Sequence, residues 1–492
     1  MIDLKNLTIE SAHESLKRGD FTVTDLVNTY LEIIKEKNSD INAYVEVYDD
    51  ALMQAKRAEE MFASGTATLM TGIPVALKDN MLNVGHIASA SSKMLEKYHA
   101  TYDAGVVSQL KKEGAVFLGR TNMDEFAMGS STETSPFGIT KNPLDTSRVP
   151  GGSSGGAVAS VAMNGALVSL GSDTGGSIRQ PASFTGLVGL KPTYGTVSRS
   201  GIIAMASSLD QVGPIGKTVR DVEILFNTIN EYDPKDSTSV PKDERHFVGT
   251  KVSSGPRASS PDHSETFVPT PLRKRIGIPR EFLSGEGIDA EVMKNFNENC
   301  QKLKDAGYEL VDISLPLIKY SLAVYYILQP AEVSSNMARY DGIRYGLHED
   351  ADKLFDVYAK SRGKGFGKEV RRRILLGTYI LSHGYYDAYY TTAVKVRDAI
   401  KAELAEAFES VDSIITPTVP FLPFKFGEKS KDPVAMYMSD LFCVPANIAG
   451  TPAISIPSGK NENGLPFGLH IMAPLFGEET LFAIGKDFEK RV

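Results

Sequence analysis

Apolar residues recur along the chain with two different periods. Near the N-terminus Val27, Leu31 and Ile34 fall at i, i+4 and i+7, with Asp25 in the first turn behind Thr24 as a cap, so 1–62 reads as helices. Further on, GVVSQLKKEG has helical spacing and stops at Gly114, after which AVFLG has the short unbroken apolar run of a buried strand. The order repeats in VMKNFNENCQKLKDAG, which puts Val292, Phe296, Cys300 and Leu303 on one face, followed by YELVDISL. A helix, a glycine stop and a buried strand, twice over, predict an α/β fold with substantial parallel pairing. GIPVALK, LVGLKPT and SIITPTVP are further strand candidates.

Periodicity is lost between about Asp233 and Lys274, where the chain turns rich in Ser, Pro and Lys, as a surface loop or insertion does. Strand-like RIGIPR and SIITPTVP beyond it can return to the same sheet, so 1–492 is read as one domain with an insertion at 233–274. Residues 149–172 carry no charge, but PGGSSGG, Asn164 and Gly165 interrupt them. The apolar part falls short of the roughly 20 residues of a bilayer span, and a buried helix is expected. In YILSHGYYDAYY the pairs Tyr385–Tyr389 and Tyr386–Tyr390 stand one helical turn apart, as in a helix core or an interface stripe.

The formal charge of −8 supplies no positive field for a polyanion, so a stand-alone nucleic-acid binder is not expected. The two cysteines, Cys300 and Cys443, form no CxxC, which argues against a disulfide scaffold or a thiolate zinc site. Charges at Asp3, Lys5 and Glu10 break the apolar run that an export signal needs, and a cytoplasmic location is expected.

The densest run of small residues is 149–183, where two Gly/Ser turns bracket an apolar helix and strand. Such turns let backbone N–H groups converge on an anion, as in a phosphate site or an oxyanion hole. Three generic motifs fit poorly. GGSSG matches the G-x-S-x-G elbow at Ser153 or Ser154, but the elbow needs a strand just before it, and TKNPLDTSRVP is a loop with two prolines. DTG at Asp173 has no second copy to supply a paired carboxylate. GSDTGGS has the outer glycines of a P-loop without its lysine.

Taken together, GIPVALKDN, PGGSSGG and GSDTGGSIRQPASFTGLVGLKPT resemble the amidase signature family, in order over about 120 residues. The resemblance implies a large mixed twisted sheet flanked by helices on both faces, with 63–215 as the signature core. It also implies a Ser-Ser-Lys triad: Ser177 as nucleophile, Ser153 as the bridging serine after a cis peptide bond, and Lys78 as base. The amides of Thr174, Gly175, Gly176 and Ser177 become the expected oxyanion hole. The chemistry is coherent, because a serine needs a neighbouring base and a lysine serves as one near pH 7 only when burial depresses its pKa. Lys78 ends an apolar strand candidate, and alternation along the strand turns Asp79 to the other face. Arg179 reads equally well as a loop brace and as a substrate contact.

Within the family, TNMDEFAMGSSTETSPFGITKNP, SSLDQVGPIGKTVRD, RYDGIRYG and GFGKEVRRRILLGTYILSHGYYDAYY are similar to the glutaminase subunits of the glutamyl-tRNA(Gln)/aspartyl-tRNA(Asn) amidotransferases. The stretch 246–272 is the exception, longer and richer in Ser and Pro. The likeness implies glutamine hydrolysis, with ammonia passed to a partner that amidates Glu-tRNA(Gln). It places Arg373 on the substrate carboxylate, with Arg371 and Arg372 as neighbouring registers, and Asp440 on the ammonium. Met128, Gly129 and Ser130 would line the pocket and Glu125 would gate the ammonia exit. Implied partners are a kinase-like, tRNA-binding B-type subunit, which would hold ATP and Mg2+, and a small C-type subunit. No metal or other cofactor is expected in this chain. A free-standing amidase on small amides and a non-catalytic scaffold are the rival readings; all three triad residues are present, which disfavours the scaffold.

Overall fold

The computed structural model describes residues 2–245, 274–430 and 432–492. Among them eleven strands form one sheet: β1 (Tyr44–Val47), β2 (Pro74–Lys78), β3 (Val116–Thr121), β4 (Val168–Asp173), β5 (Val188–Lys191), β6 (Gln211–Gly216), β7 (Arg275–Ile278), β8 (Glu309–Asp312), β9 (Ser413–Pro417), β10 (Ala453–Lys460) and β11 (Pro466–Met472). Their spatial order is β1-β3-β2-β4-β6-β5-β10-β11-β9-β7-β8. Pairing is parallel in β3-β2-β4 and in β9-β7-β8, and antiparallel elsewhere. The sheet is therefore mixed. Both parallel blocks arise where the sequence alternates helix and strand, since a parallel return needs a crossover.

Every residue of β2, β3 and β4 is buried, as expected of strands covered on both faces. β2 and β4 are parallel neighbours, so Lys78 and Asp173 close them at the same edge of the sheet. In open α/β sheets that carboxyl edge is where ligands bind. The loop after β4 leads into the helix Arg179–Thr185, and 149–154 leads into the buried helix Gly155–Ala162.

At the N-terminus the helices Ile9–Arg18, Val23–Ile41 and Ala51–Ala63 are interrupted by β1, so 1–62 is not wholly helical. The cap of Val23–Ile41 is Thr22 rather than Thr24: Thr22 Oγ1 accepts the Asp25 N–H while Asp25 accepts the Thr22 N–H. That reciprocal box needs the carboxylate three residues after the cap, a spacing only Thr22 satisfies. Val27 and Ile34 are buried and Leu31 half-buried.

Beyond the insertion, β7 and β9 join the same sheet through β11. Its first part, 233–245, is tied down by Ser198–Asp233 and Arg199–Asp236 contacts, while 246–272 lies outside the described residues. The predicted tyrosine pairs do stack, with ring centroids 6.0 Å apart for Tyr385–Tyr389 and 5.1 Å for Tyr386–Tyr390. Tyr385, Tyr386 and Tyr389 are exposed, so this stripe belongs to the surface and not to the core.

Candidate active site

Lys78 reaches the sheet edge fully buried, its ammonium nitrogen 2.8 Å from Ser153 Oγ, 2.8 Å from Ser154 Oγ and 3.1 Å from the Ser172 carbonyl, donating to each. Burial brings its pKa down to about 7, against the opposing pull of Asp124, Asp173 and Asp210. Asp79 points away and pairs with Arg120 at 2.9 Å. The Gly152–Ser153 peptide is cis. Ser177 lies on the loop after β4, next to this cluster through its backbone, where its carbonyl accepts the Ser154 N–H at 3.1 Å. Ser153 and Ser154 are closed to solvent and Ser177 keeps 8% of its surface, so Ser177 is the serine a substrate can reach. Ser154 was legible only as a rejected elbow serine; its contact with Lys78 spans 76 positions in sequence.

The Ser177 loop is braced from below. Asp173 accepts the N–H groups of Gly176, Ile178 and Arg179 and two bonds from the Arg179 guanidinium. Arg179 also donates to the Cys443 carbonyl, Asn447 Oδ1 and His470 Nε2. Burial works against the Asp173 charge, but Arg179 together with Asn447 and Lys191 holds the carboxyl well below its usual range. Arg179 is thus the loop brace, with no surface left for a substrate. Because the Gly176 N–H is taken by Asp173, the other loop amides are better placed to meet an anion. Replacing Arg179 by Met strands a buried carboxylate and is expected to cost about 3–5 kcal/mol of stability by urea unfolding. A change below about 1 kcal/mol would show the pair to be dispensable.

A cavity of about 290 Å3 is lined by Glu125, Gly129, Ser130, Glu369, Arg373 and Tyr437 among others, while Ser177 and Asp440 are not among its lining residues. Arg373 is buried on the helix Lys368–Ile380, held by Glu369 at 2.9 Å, with its guanidinium 5.7 Å from the ring centroids of Tyr326 and Tyr437. Arg371 is exposed and Arg372 lies at the rim on Glu369, so burial selects Arg373 among the three. Asp440 accepts from Tyr326 Oη at 2.7 Å and from Ser130 Oγ at 3.3 Å. Burial pushes its carboxyl up to about 7. Gln180 ties the two halves of the site together, donating to the Ser130 carbonyl and accepting the Gly152 N–H.

Glu125 accepts from Ser92 Oγ and the Gly367 N–H, and burial raises its carboxyl to about 7. Met128 does not reach the cavity lining; it is buried in an apolar cluster with Phe126, Met205 and Phe366. Tyr326, Gln180 and Asp124 were not singled out in the sequence. Tyr326 and Gln180 act through partners 28 to 114 positions away, while the Asp124 carboxylate binds the loop seven to ten residues after it.

Residues 25–482 match the amidase family. The chain belongs to that family. Among its relatives, the A subunit of glutamyl-tRNA(Gln) amidotransferase from Thermoanaerobacter pseudethanolicus is 49% identical over 491 residues, 99% of this chain and 97% of its own. The corresponding A subunit from Microcystis aeruginosa is 47% identical, covering 98% and 97%. The crystal structure of the glutamyl-tRNA(Gln) amidotransferase A subunit from Thermotoga maritima superposes with a TM-score of 0.78 at 39% identity, over 100% of this chain and 96% of that one. Native peptide amidase from Stenotrophomonas maltophilia superposes at 0.76 with 25% identity, over 99% and 97%. The amidase fold thus carries both kinds of protein, and only the pocket residues can separate them. No helix among the described residues is long and apolar enough to cross a membrane.

Proposed function

We propose that the chain is the glutamine-hydrolysing subunit of a tRNA-dependent amidotransferase. The observation that carries this reading is that Tyr326 links a buried cation to a buried carboxylate, its ring centroid 5.7 Å from the Arg373 guanidinium and its Oη donating to Asp440, in a fold that also holds a buried Lys78 hydrogen-bonded to Ser153. A substrate with a carboxylate and an ammonium at one end and an amide at the other uses all of them. Arg373 takes the carboxylate of glutamine, Asp440 the ammonium, and Gly129 and Ser130 flank the chain between.

Neutral Lys78 then receives the proton of Ser153 while Ser153 receives that of Ser177, whose Oγ attacks the side-chain amide carbon. The oxyanion is met by the amides of Thr174, Gly175 and Ser177, each worth about 3 kcal/mol in such sites; Gly176 contributes only if it leaves Asp173. The returning proton goes to the departing nitrogen, ammonia leaves, and a γ-glutamyl ester stays on Ser177 until water releases glutamate. Glu125 lines the same cavity as Arg373, and in this reading it meets the departing ammonia.

The ammonia is consumed by a B-type subunit that binds tRNA, ATP and Mg2+, with a small C-type subunit completing the complex. Exposed Tyr379, Tyr385, Tyr386 and Tyr389 with Leu375 make a surface suited to burial against such a partner. The test is reconstitution. Glutaminase activity of the isolated chain should be low and should rise on adding the two partners, ATP and Glu-tRNA(Gln). An external ammonia scavenger should not stop glutamine-dependent amidation. A chain fully active alone, turning over simple amides as readily as glutamine, would instead be a free-standing amidase.

A further inference from the structure

The turn after β3 holds a carboxylate that the steps above do not use. Asp124 is fully buried. Its N–H donates to the Ser153 carbonyl at 3.3 Å. Its carboxylate gathers the loop that follows: Oδ2 accepts the N–H groups of Thr132 (2.9 Å) and Ser131 (3.3 Å), and Oδ1 accepts Thr134 Oγ1 (2.9 Å) and the Thr134 N–H (3.4 Å). The Cα atoms of Gly129 and Gly152 press on the same carboxylate so closely that neither position has room for a Cβ. Thr132 Oγ1 closes the circuit on the Gly151 carbonyl at 2.8 Å. One side chain therefore touches the turn that carries Ser153 and the loop that carries Gly129 and Ser130.

We propose that Asp124 is a positioning residue whose buried carboxylate holds the turn carrying Ser153 and the 129–134 loop in register with Lys78. The inference rests on the triad reading given above. Three carboxylates act on Lys78 from the elements packed around it: Asp124 from the turn after β3, Asp173 from the end of β4, and Asp210 from the loop before β6. The Asp173 charge is matched by Arg179 at 2.9 Å. Asp210, raised to about 6 by burial, accepts from Thr174 Oγ1 and the Met205 and Ala206 amides. Among the described residues Asp124 is bound by N–H and O–H groups, burial raises its own carboxyl, and its charge favours protonated Lys78. Without it the desolvated ammonium keeps its three hydrogen bonds but loses a favourable charge, and the lysine becomes neutral at lower pH.

The test compares wild type, Asp124→Asn, Asp124→Glu and Thr134→Val, all as full chains. The rate of Ser177 labelling by a fluorophosphonate is followed against pH, and glutamine hydrolysis is measured beside it. Labelling needs neutral Lys78 but no glutamine, so it stands apart from the choice of substrate. In Asp124→Asn the acid limb of labelling should move down by about one pH unit, and KM for glutamine should rise severalfold. Asp124→Glu should keep the limb near its wild-type position. Thr134→Val keeps the charge and removes one loop anchor, so it should raise KM without moving the limb, and it stands in if Asp124→Asn does not fold. Wild-type chain unlabelled at Ser177 would remove the triad reading and this inference with it. Labelled wild type with an unmoved limb in Asp124→Asn, or an unchanged KM in Thr134→Val, would overturn this inference alone.

Discussion

Ser177→Ala is expected to fold normally and to lose at least about four orders of magnitude in kcat for glutamine, with Ser153→Ala and Lys78→Met close behind, because the three groups move protons as one unit. Ser154→Ala is the informative control. Lys78 lies 2.8 Å from both Ser153 and Ser154, but only Ser153 stands in the proposed proton path, so losing Ser154 should cost far less. The pH dependence has a definite sign. Burial brings Lys78 down to about 7, and only its neutral form accepts a proton, so kcat/KM should climb as pH rises through that value and level off above it. Near-full activity in Ser177→Ala, with loss in Ser154→Ala, would hand the nucleophile's role to Ser154.

The second large effect concerns selectivity. Arg373→Ala and Asp440→Asn should each raise KM for glutamine about ten- to a hundredfold, the worth of one charge-assisted hydrogen bond. Asp440→Asn retains an acceptor for Tyr326 and Ser130 and removes only the charge, so its effect reports on the substrate ammonium. Because burial leaves the empty-site carboxyl near 7, protonation should weaken glutamine binding as pH falls below that value. A simple amide with neither charged group should lose much less in both variants. Equal losses on glutamine and on the simple amide would mean that these residues support the fold around Tyr326 rather than read the substrate.

Much of this protein is local and therefore legible in its sequence. Apolar spacing marked the helix Ala290–Asp305 with its buried Val292, Phe296, Cys300 and Leu303, and unbroken apolar runs marked β2, β3, β5 and β9. Capping was half-legible: Thr24 reads as the cap when the three-residue offset to Asp25 is not used, and that offset makes Thr22, two residues earlier, the cap. Lys78, Ser153 and Ser177 were legible through the resemblance of three short motifs to the amidase signature family. What needed the tertiary structure is whatever depends on burial and on partners far away in sequence. The Ser130–Asp440 contact spans 310 positions and Tyr326–Asp440 spans 114, so no local pattern announces them. Periodicity allows Arg371, Arg372 or Arg373; the packing of Lys368–Ile380 buries one of them against two tyrosine rings. Lysine at position 78 is a matter of sequence, but its weakened hold on a proton comes from the water that the folded chain excludes from around it.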